Sequence, residues 1–349
     1  MRERRKIVEL WSRGDAAVLV TLVRVEGSSY RRVGARVLIA ANGDSAGTIS
    51  GGCLEAEVVR KAQWMVRDGA VVERYSTLFD DTAEIPYGLG CGGTVNLLLE
   101  PAGTAEFDAV MKAMQESLQG KRRRVVTRLP ENGAVLTREV HDESGLAVFA
   151  CEAVSEGAVY EEWLEPPQRL IVLGAGDDAQ PMVQMAALVG WNVLVADWRA
   201  QMARPERFPE AELVVCADSI AAFSIGERDA VVIMSHSYEQ DREWLRQMLP
   251  LHSRYLGLLG ARHRSALLVN EAAALLGWSV EQVCEGLFAP VGMDLGGDGA
   301  DAIALATIAE IQACCQGKLS AIRRMTAQMV EDLLLEGGAE HYAQTQCAL

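Results

Sequence analysis

The segment Leu170-Ile171-Val172-Leu173-Gly174-Ala175-Gly176-Asp177-Asp178-Ala179 constrains this chain more than any other. Apolar residues run into a GxGxxA turn, and the spacing beyond the turn predicts a helix over 179–188. Asp197 closes the next apolar run, about twenty residues past Gly176. Strand, glycine turn, helix and acidic residue in that order predict a Rossmann-like unit. In such a unit Gly174 and Gly176 let backbone approach a phosphate, and Asp197 takes a ribose. Short, almost wholly apolar runs recur at 193–196, 213–216, 230–234 and 255–259. They suit strands of a parallel sheet covered on both faces. Helical spacing at 241–249 and 265–276 completes a doubly wound pattern. The aspartates at 177 and 178 leave two readings of the turn. They stabilise the helix start by themselves, and they repel an anion unless a cation intervenes.

The front half is patterned differently. Residues 3–13 and 54–68 have helical spacing, and 107–118 is a further helix candidate. Residues 16–25, 36–40, 71–77 and 94–99 are strand candidates. Residues 124–129 and 134–140 suit a hairpin. Glu161-Glu162-Trp163-Leu164-Glu165-Pro166-Pro167 is acidic with two prolines and reads as a linker. The expected fold class is therefore α/β. A C-terminal Rossmann-like, doubly wound parallel sheet (161–320) follows a smaller N-terminal α+β domain (1–160), and a tail occupies 321–349.

Composition removes several functions. The 349 residues carry 33 Lys and Arg against 48 Asp and Glu, a net charge of −15. That balance argues against nucleic acid and against anionic membrane surfaces. No apolar run approaches the ~18 residues of a membrane span, and the opening residues lack the apolar core of a secretory leader. The eight cysteines form no CxxC pair, which predicts reduced thiols and a cytoplasmic protein. Neither an HExxH nor a Cys/His cluster is present, so no metal site is expected.

Chemistry is concentrated in loops. Ser50-Gly51-Gly52-Cys53-Leu54-Glu55 sets a thiol in the first turn of a helix, where a thiolate is favoured, while Glu55 and Glu57 act against it. Gly88-Leu89-Gly90-Cys91-Gly92-Gly93 is a second glycine loop around a thiol. A third runs through Gly27-Ser28-Ser29-Tyr30-Arg31-Arg32, where Arg31 offers a fork to an oxyanion. In the rear half, Ser235-His236-Ser237 follows the fourth apolar run. His236 reads equally as an acid/base or ligand contact and as a cap of the following helix. Arg262 and Arg264 follow the fifth run and suit a phosphate or plain solvation. Asp294 lies in a glycine-rich loop of the kind that lines sites. Cys53 and Cys91 each keep a second reading as a buried small hydrophobe, and the other six thiols are filler.

Taken together these motifs resemble the xanthine dehydrogenase accessory factor family, XdhC/CoxI. The resemblance rests on Gly27 to Arg31 with Gly34-Ala35, on Gly47 to Glu55, and on Gly90 to Gly93. Further on it rests on Gly174 to Ala179, Ser235-His236, Gly257 to Arg262 and Ala289 to Gly296. The chain departs from the usual family pattern at Tyr30, commonly proline, and at Asp177-Asp178, where many members carry His-Val. It departs again at Gly299-Ala300, commonly Thr-Pro. The resemblance implies a chaperone rather than an enzyme. Such proteins bind the molybdenum cofactor (molybdopterin) transiently, protect it while a cysteine desulfurase installs its sulfur ligand, and pass it to an apo-molybdenum hydroxylase. A homodimer is the expected assembly. On this reading Cys53 and His236 carry the chemistry. Arg31, Gly51, Gly52, Cys91, Gly174, Gly176, Asp197, Arg262 and Asp294 contact the cofactor. Two other readings stand beside it. One is an NAD(P)-dependent oxidoreductase using Asp197 and His236. The other is a sulfur carrier holding a persulfide on Cys53.

Overall fold

A computed structural model describes residues 1–52, 54–76, 93–131, 134–151, 156–219, 221 and 223–319. The chain divides into two compact units, with the break at Pro166-Pro167. Among the described residues, no helix is long and apolar enough to cross a membrane.

The first unit opens with helix α1 (Arg2–Trp11) and strands β1 (Ala16–Glu26), β2 (Arg36–Ala40) and β3 (Ser45–Gly47). Helix α2 (Glu55–Met65) and strands β4 (Val71–Ser76) and β5 (Thr94–Pro101) follow. The five strands form one antiparallel sheet in the order β3-β2-β1-β5-β4. Val18 to Val23 are all buried because this sheet is covered on both faces. Successive side chains point to opposite faces. Leu19 therefore packs with α1 and with α3 (Ala105–Leu118), while Val18, Val20 and Leu22 pack with Leu54, Val58 and Ala62.

A second antiparallel sheet joins β6 (Arg123–Arg128), β7 (Thr137–His141), β8 (Ala147–Ala150) and β9 (Val159–Leu164) in the order β8-β7-β6-β9. The hairpin expected at 124–140 is present as β6 and β7. The expected linker is not one: Glu161 to Leu164 form most of β9, paired along β6. Its acidic residues answer arginines instead of solvating a tether. Arg124 Nε donates to Glu161 at 2.7 Å, and the buried Arg36 donates to Glu162 through both terminal nitrogens.

The second unit has five parallel strands: β10 (Arg169–Leu173), β11 (Asn192–Asp197), β12 (Leu213–Cys216), β13 (Ala230–Ile233) and β14 (Tyr255–Leu258). Their order is β12-β11-β10-β13-β14. The order reverses between β10 and β13, and doubly wound sheets open a crevice at such a reversal. One face is covered by α4 (Ala179–Leu188) and α8 (Ala300–Cys315). The other is covered by α5 (Tyr238–Met248), α6 (Arg262–Leu276) and α7 (Val280–Glu285). This two-sided cover explains the apolar runs, since β10 and β13 are buried almost end to end. Phe288 to Val291 continue beside β14, with Leu258 N donating to Phe288 O at 2.9 Å. The loop beyond them leads back into α8.

Candidate functional site

The glycine turn leaves β10 at the order reversal, and β13 supplies its neighbour. Gly174 has φ +135°, and a Cβ placed there would sit 2.3 Å from the Met234 carbonyl oxygen. Only glycine lets the two chain segments pass this closely. Met234 then leads to Ser235 and His236, and His236 adopts φ +61°. That conformation is uncommon outside glycine, and the neighbours of this residue hold it. Ser235 N donates to Asp241 Oδ1 at 3.1 Å, the Ser235 hydroxyl donates to the same oxygen, and Arg264 Nη2 donates to Asp241 Oδ2 at 2.7 Å. Asp241 is fully buried on α5, so three segments meet on one carboxylate. The helix cap is Ser237, which accepts from Gln240 N, so His236 is free of that task. Its Nε2 lies 2.7 Å from Asp178 Oδ2, with the ring more than half exposed.

Asp197, expected to take a ribose, is buried and already partnered. Ala175 N donates to Oδ2 at 2.7 Å, and Arg199 N donates to Oδ1 at 2.8 Å. The Arg199 guanidinium adds a fork, Nε to Oδ1 at 2.9 Å and Nη2 to Oδ2 at 2.7 Å. Burial pushes the carboxyl up, but these donors outweigh it and hold it below the usual range. Arg207 is partnered too, though on one side only by an exposed carboxylate. Its Nη1 donates to the carbonyls of Ala175 and Met202, and its Nη2 donates to Asp177 Oδ1 at 2.7 Å. Arg262 and Asp294 are both exposed.

In the first unit, the antiparallel order sends the connections after β1 and β3 to one end of the sheet. The Tyr30 ring lies over Gly51, where a Cβ would approach it to 2.8 Å. Gly93 packs against the backbone of Ser28 with no room for a side chain. The loops that carry Tyr30 and Gly51 therefore leave from a common end, and Gly93 stands beside the first of them. Arg31 is forked onto Glu3 of α1. Glu55 fills the turn ahead of it: Ile49 N, Ser50 N and Gly52 N donate to its carboxylate at 2.8–2.9 Å, and Thr48 Oγ1 donates at 2.6 Å. Burial acts to raise this carboxyl, yet the Ser50 and Thr48 hydroxyls and the backbone donors bring it down to about 2. Gly51 and Gly52, with φ +97° and +120°, give the turn its curvature. Cys53 and Cys91 lie outside the described residues.

Residues 170–311 match the XdhC Rossmann domain, and residues 10–76 match the XdhC and CoxI family. The two stretches together take in more than half of the chain. This chain belongs to the XdhC/CoxI family. A Bacillus subtilis protein named as a probable xanthine dehydrogenase subunit is 28% identical over 85% of this chain and 92% of its own length. The molybdenum cofactor insertion chaperone PaoD from Escherichia coli is 28% identical over 88% of this chain and 86% of its own. A solved structure described as a xanthine dehydrogenase from Bacillus halodurans has a TM-score of 0.79 at 27% identity. It covers 93% of this chain and 98% of that one.

In this XdhC/CoxI chain the expected residues fall into two groups, one per unit. Gly174, Gly176, Asp197 and His236 come together at the carboxyl edge of the parallel sheet, while Arg31, Gly51 and Gly52 share an end of the antiparallel one. Reading the chain residue by residue misses Arg199, Arg207 and the role of Asp241. Arg199 had a signal, since it stands two residues past Asp197 at a strand end. Arg207 had none, because only folding carries it to the glycine turn.

Proposed function

We propose that this chain is a molybdenum cofactor chaperone. It binds the cofactor, shields it while a cysteine desulfurase supplies the terminal sulfur ligand, and inserts it into an apo-molybdenum hydroxylase of the xanthine dehydrogenase type. The near-full-length likeness to an Escherichia coli molybdenum cofactor insertion chaperone carries this reading. The chemistry of the chain agrees with it. A pterin dithiolene with a phosphate tail is a polar anion, and glycine turns with arginines beside them suit such a guest. Cys53 is the soft thiol proposed to stand near the molybdenum. The protein is proposed to work as a cytoplasmic homodimer. The competing NAD(P) oxidoreductase would need Asp197 for a ribose, and that carboxylate is already held by Ala175 and Arg199.

The test is retention of free molybdenum cofactor through gel filtration, with pterin assayed in the protein fraction. Wild-type protein at micromolar concentration is expected to carry pterin, and Cys53→Ala to carry less. Pterin absent from the wild-type fraction overturns the reading. Turnover of a nicotinamide would favour the oxidoreductase. A persulfide on Cys53 after incubation with a sulfur donor, without pterin retention, would favour the sulfur carrier.

A further inference from the structure

Arg207 lies on the connection between β11 and β12, and its guanidinium is fastened from behind. Nη1 donates to Ala175 O at 2.5 Å and to Met202 O at 2.9 Å. The side chain is 13% exposed, so little of it moves freely. Its remaining terminal nitrogen, Nη2, faces Asp177 Oδ1 at 2.7 Å. Asp177 is the opposite kind of residue: its side chain is 92% exposed, and the long 3.4 Å contact from Gln180 Nε2 adds little to hold it. A fixed arginine thus meets a loose carboxylate at the mouth of the glycine turn. A carboxylate that stands in water gains little from such a pair and is easily exchanged. The next residue makes the opposite pairing: Asp178, mostly covered, sits on Nε2 of the more exposed His236.

We infer that Arg207 is the anion-holding residue of this edge and that Asp177 stands in for a phosphate oxygen of the ligand. This rests on the cofactor-binding reading above and names the part of the cofactor that the second unit takes. The group expected is the terminal phosphomonoester of the pterin, not a pyrophosphate with a nucleoside beyond it. A nucleoside needs an acceptor for its ribose hydroxyls, and Asp197 accepts from Ala175 and Arg199 instead. A phosphomonoester asks only for donors, which Arg207 provides once the exposed Asp177 swings into water. No covalent step is involved.

The experiment measures equilibrium binding of molybdenum cofactor to the full chain, with pterin fluorescence as the readout. Asp177→Asn removes the competing charge from an exposed position and is expected to tighten binding about threefold to fivefold. Arg207→Gln is expected to weaken it about tenfold or more. In the double variant the gain from Asp177→Asn should vanish, because the group it competes for is gone. Cofactor stripped of its phosphate should bind both single variants as it binds the wild type. The dinucleotide form should bind less tightly than the monoester. Wild-type protein that retains no pterin overturns the cofactor reading and this assignment together. Wild-type protein that binds pterin, with Asp177→Asn unchanged, overturns the assignment alone. A dinucleotide bound as tightly as the monoester, with the same response to both variants, overturns the choice of monoester. Asp177→Asn carries the test even where Arg207→Gln fails to fold, since that side chain stands almost wholly in water.

Discussion

Glu55 and Asp197 are carboxylates that each accept from the backbone of a glycine turn, Asp197 with Arg199 as its second partner. Each holds backbone N–H groups that would otherwise point at a ligand or at water. For Glu55 the consequence is a pH dependence with a definite sign. Its carboxyl falls from 4.5 to about 2, so the folded state favours the charged form. The stabilisation is complete above pH 4.5 and is lost as pH falls towards 2. Glu55→Gln should cost about 1–2 kcal/mol at neutral pH through weakened hydrogen bonds. The gap between variant and wild type should close between pH 4.5 and 2, as read by urea unfolding at stepped pH. A gap that stays constant across that range would show that the charge plays no part. At this scale the sequence is only half legible. Residue types put Glu55 beside the thiol loop as a charge opposing a thiolate. Its service as the turn's own internal anion follows from backbone curvature at Gly51 and Gly52, which residue types alone do not reveal.

At the scale of elements, the turn after β10 separates two glycines that look alike in the motif. A Cβ on Gly174 meets backbone, the Met234 carbonyl at 2.3 Å, and the residue holds a positive φ. Backbone there cannot step aside without moving β13. Gly174→Ala should therefore cost more than about 3 kcal/mol. A Cβ on Gly176 meets the Asp178 side chain at 2.4 Å, and that side chain can rotate away. Gly176→Ala should cost about 1 kcal/mol or less. Thermal unfolding of the pair decides, and equal losses would refute the distinction. The strands of this sheet were readable because burial on both faces leaves an apolar run with no alternation. Strand β9 was not. Its acidic residues resemble a solvated tether until Arg124 and Arg36, remote in sequence, are brought opposite them.

Across the whole molecule, each unit closes its own core. The parallel sheet is sandwiched by α4 and α8 on one side and by α5, α6 and α7 on the other. The antiparallel sheet has α1 and α3 on one face and α2 on the other. Residues 167–319 expressed alone should therefore fold, with a mixed helix and strand circular dichroism spectrum and a single cooperative melt. A piece lacking a cooperative transition would show that this unit depends on the rest of the chain. Sequence alone determined the family, the parallel sheet and the position of its glycine turn. Those depend on short-range demands: apolar runs, helical period, and φ angles that only glycine tolerates. Tertiary structure alone decided that Asp197 accepts from Ala175 rather than facing outward, that Asp241 joins Ser235 to Arg264, and that Arg207 reaches Asp177. Those pairings hang on where distant segments meet at the sheet's edge, and no local pattern in the chain encodes such a meeting.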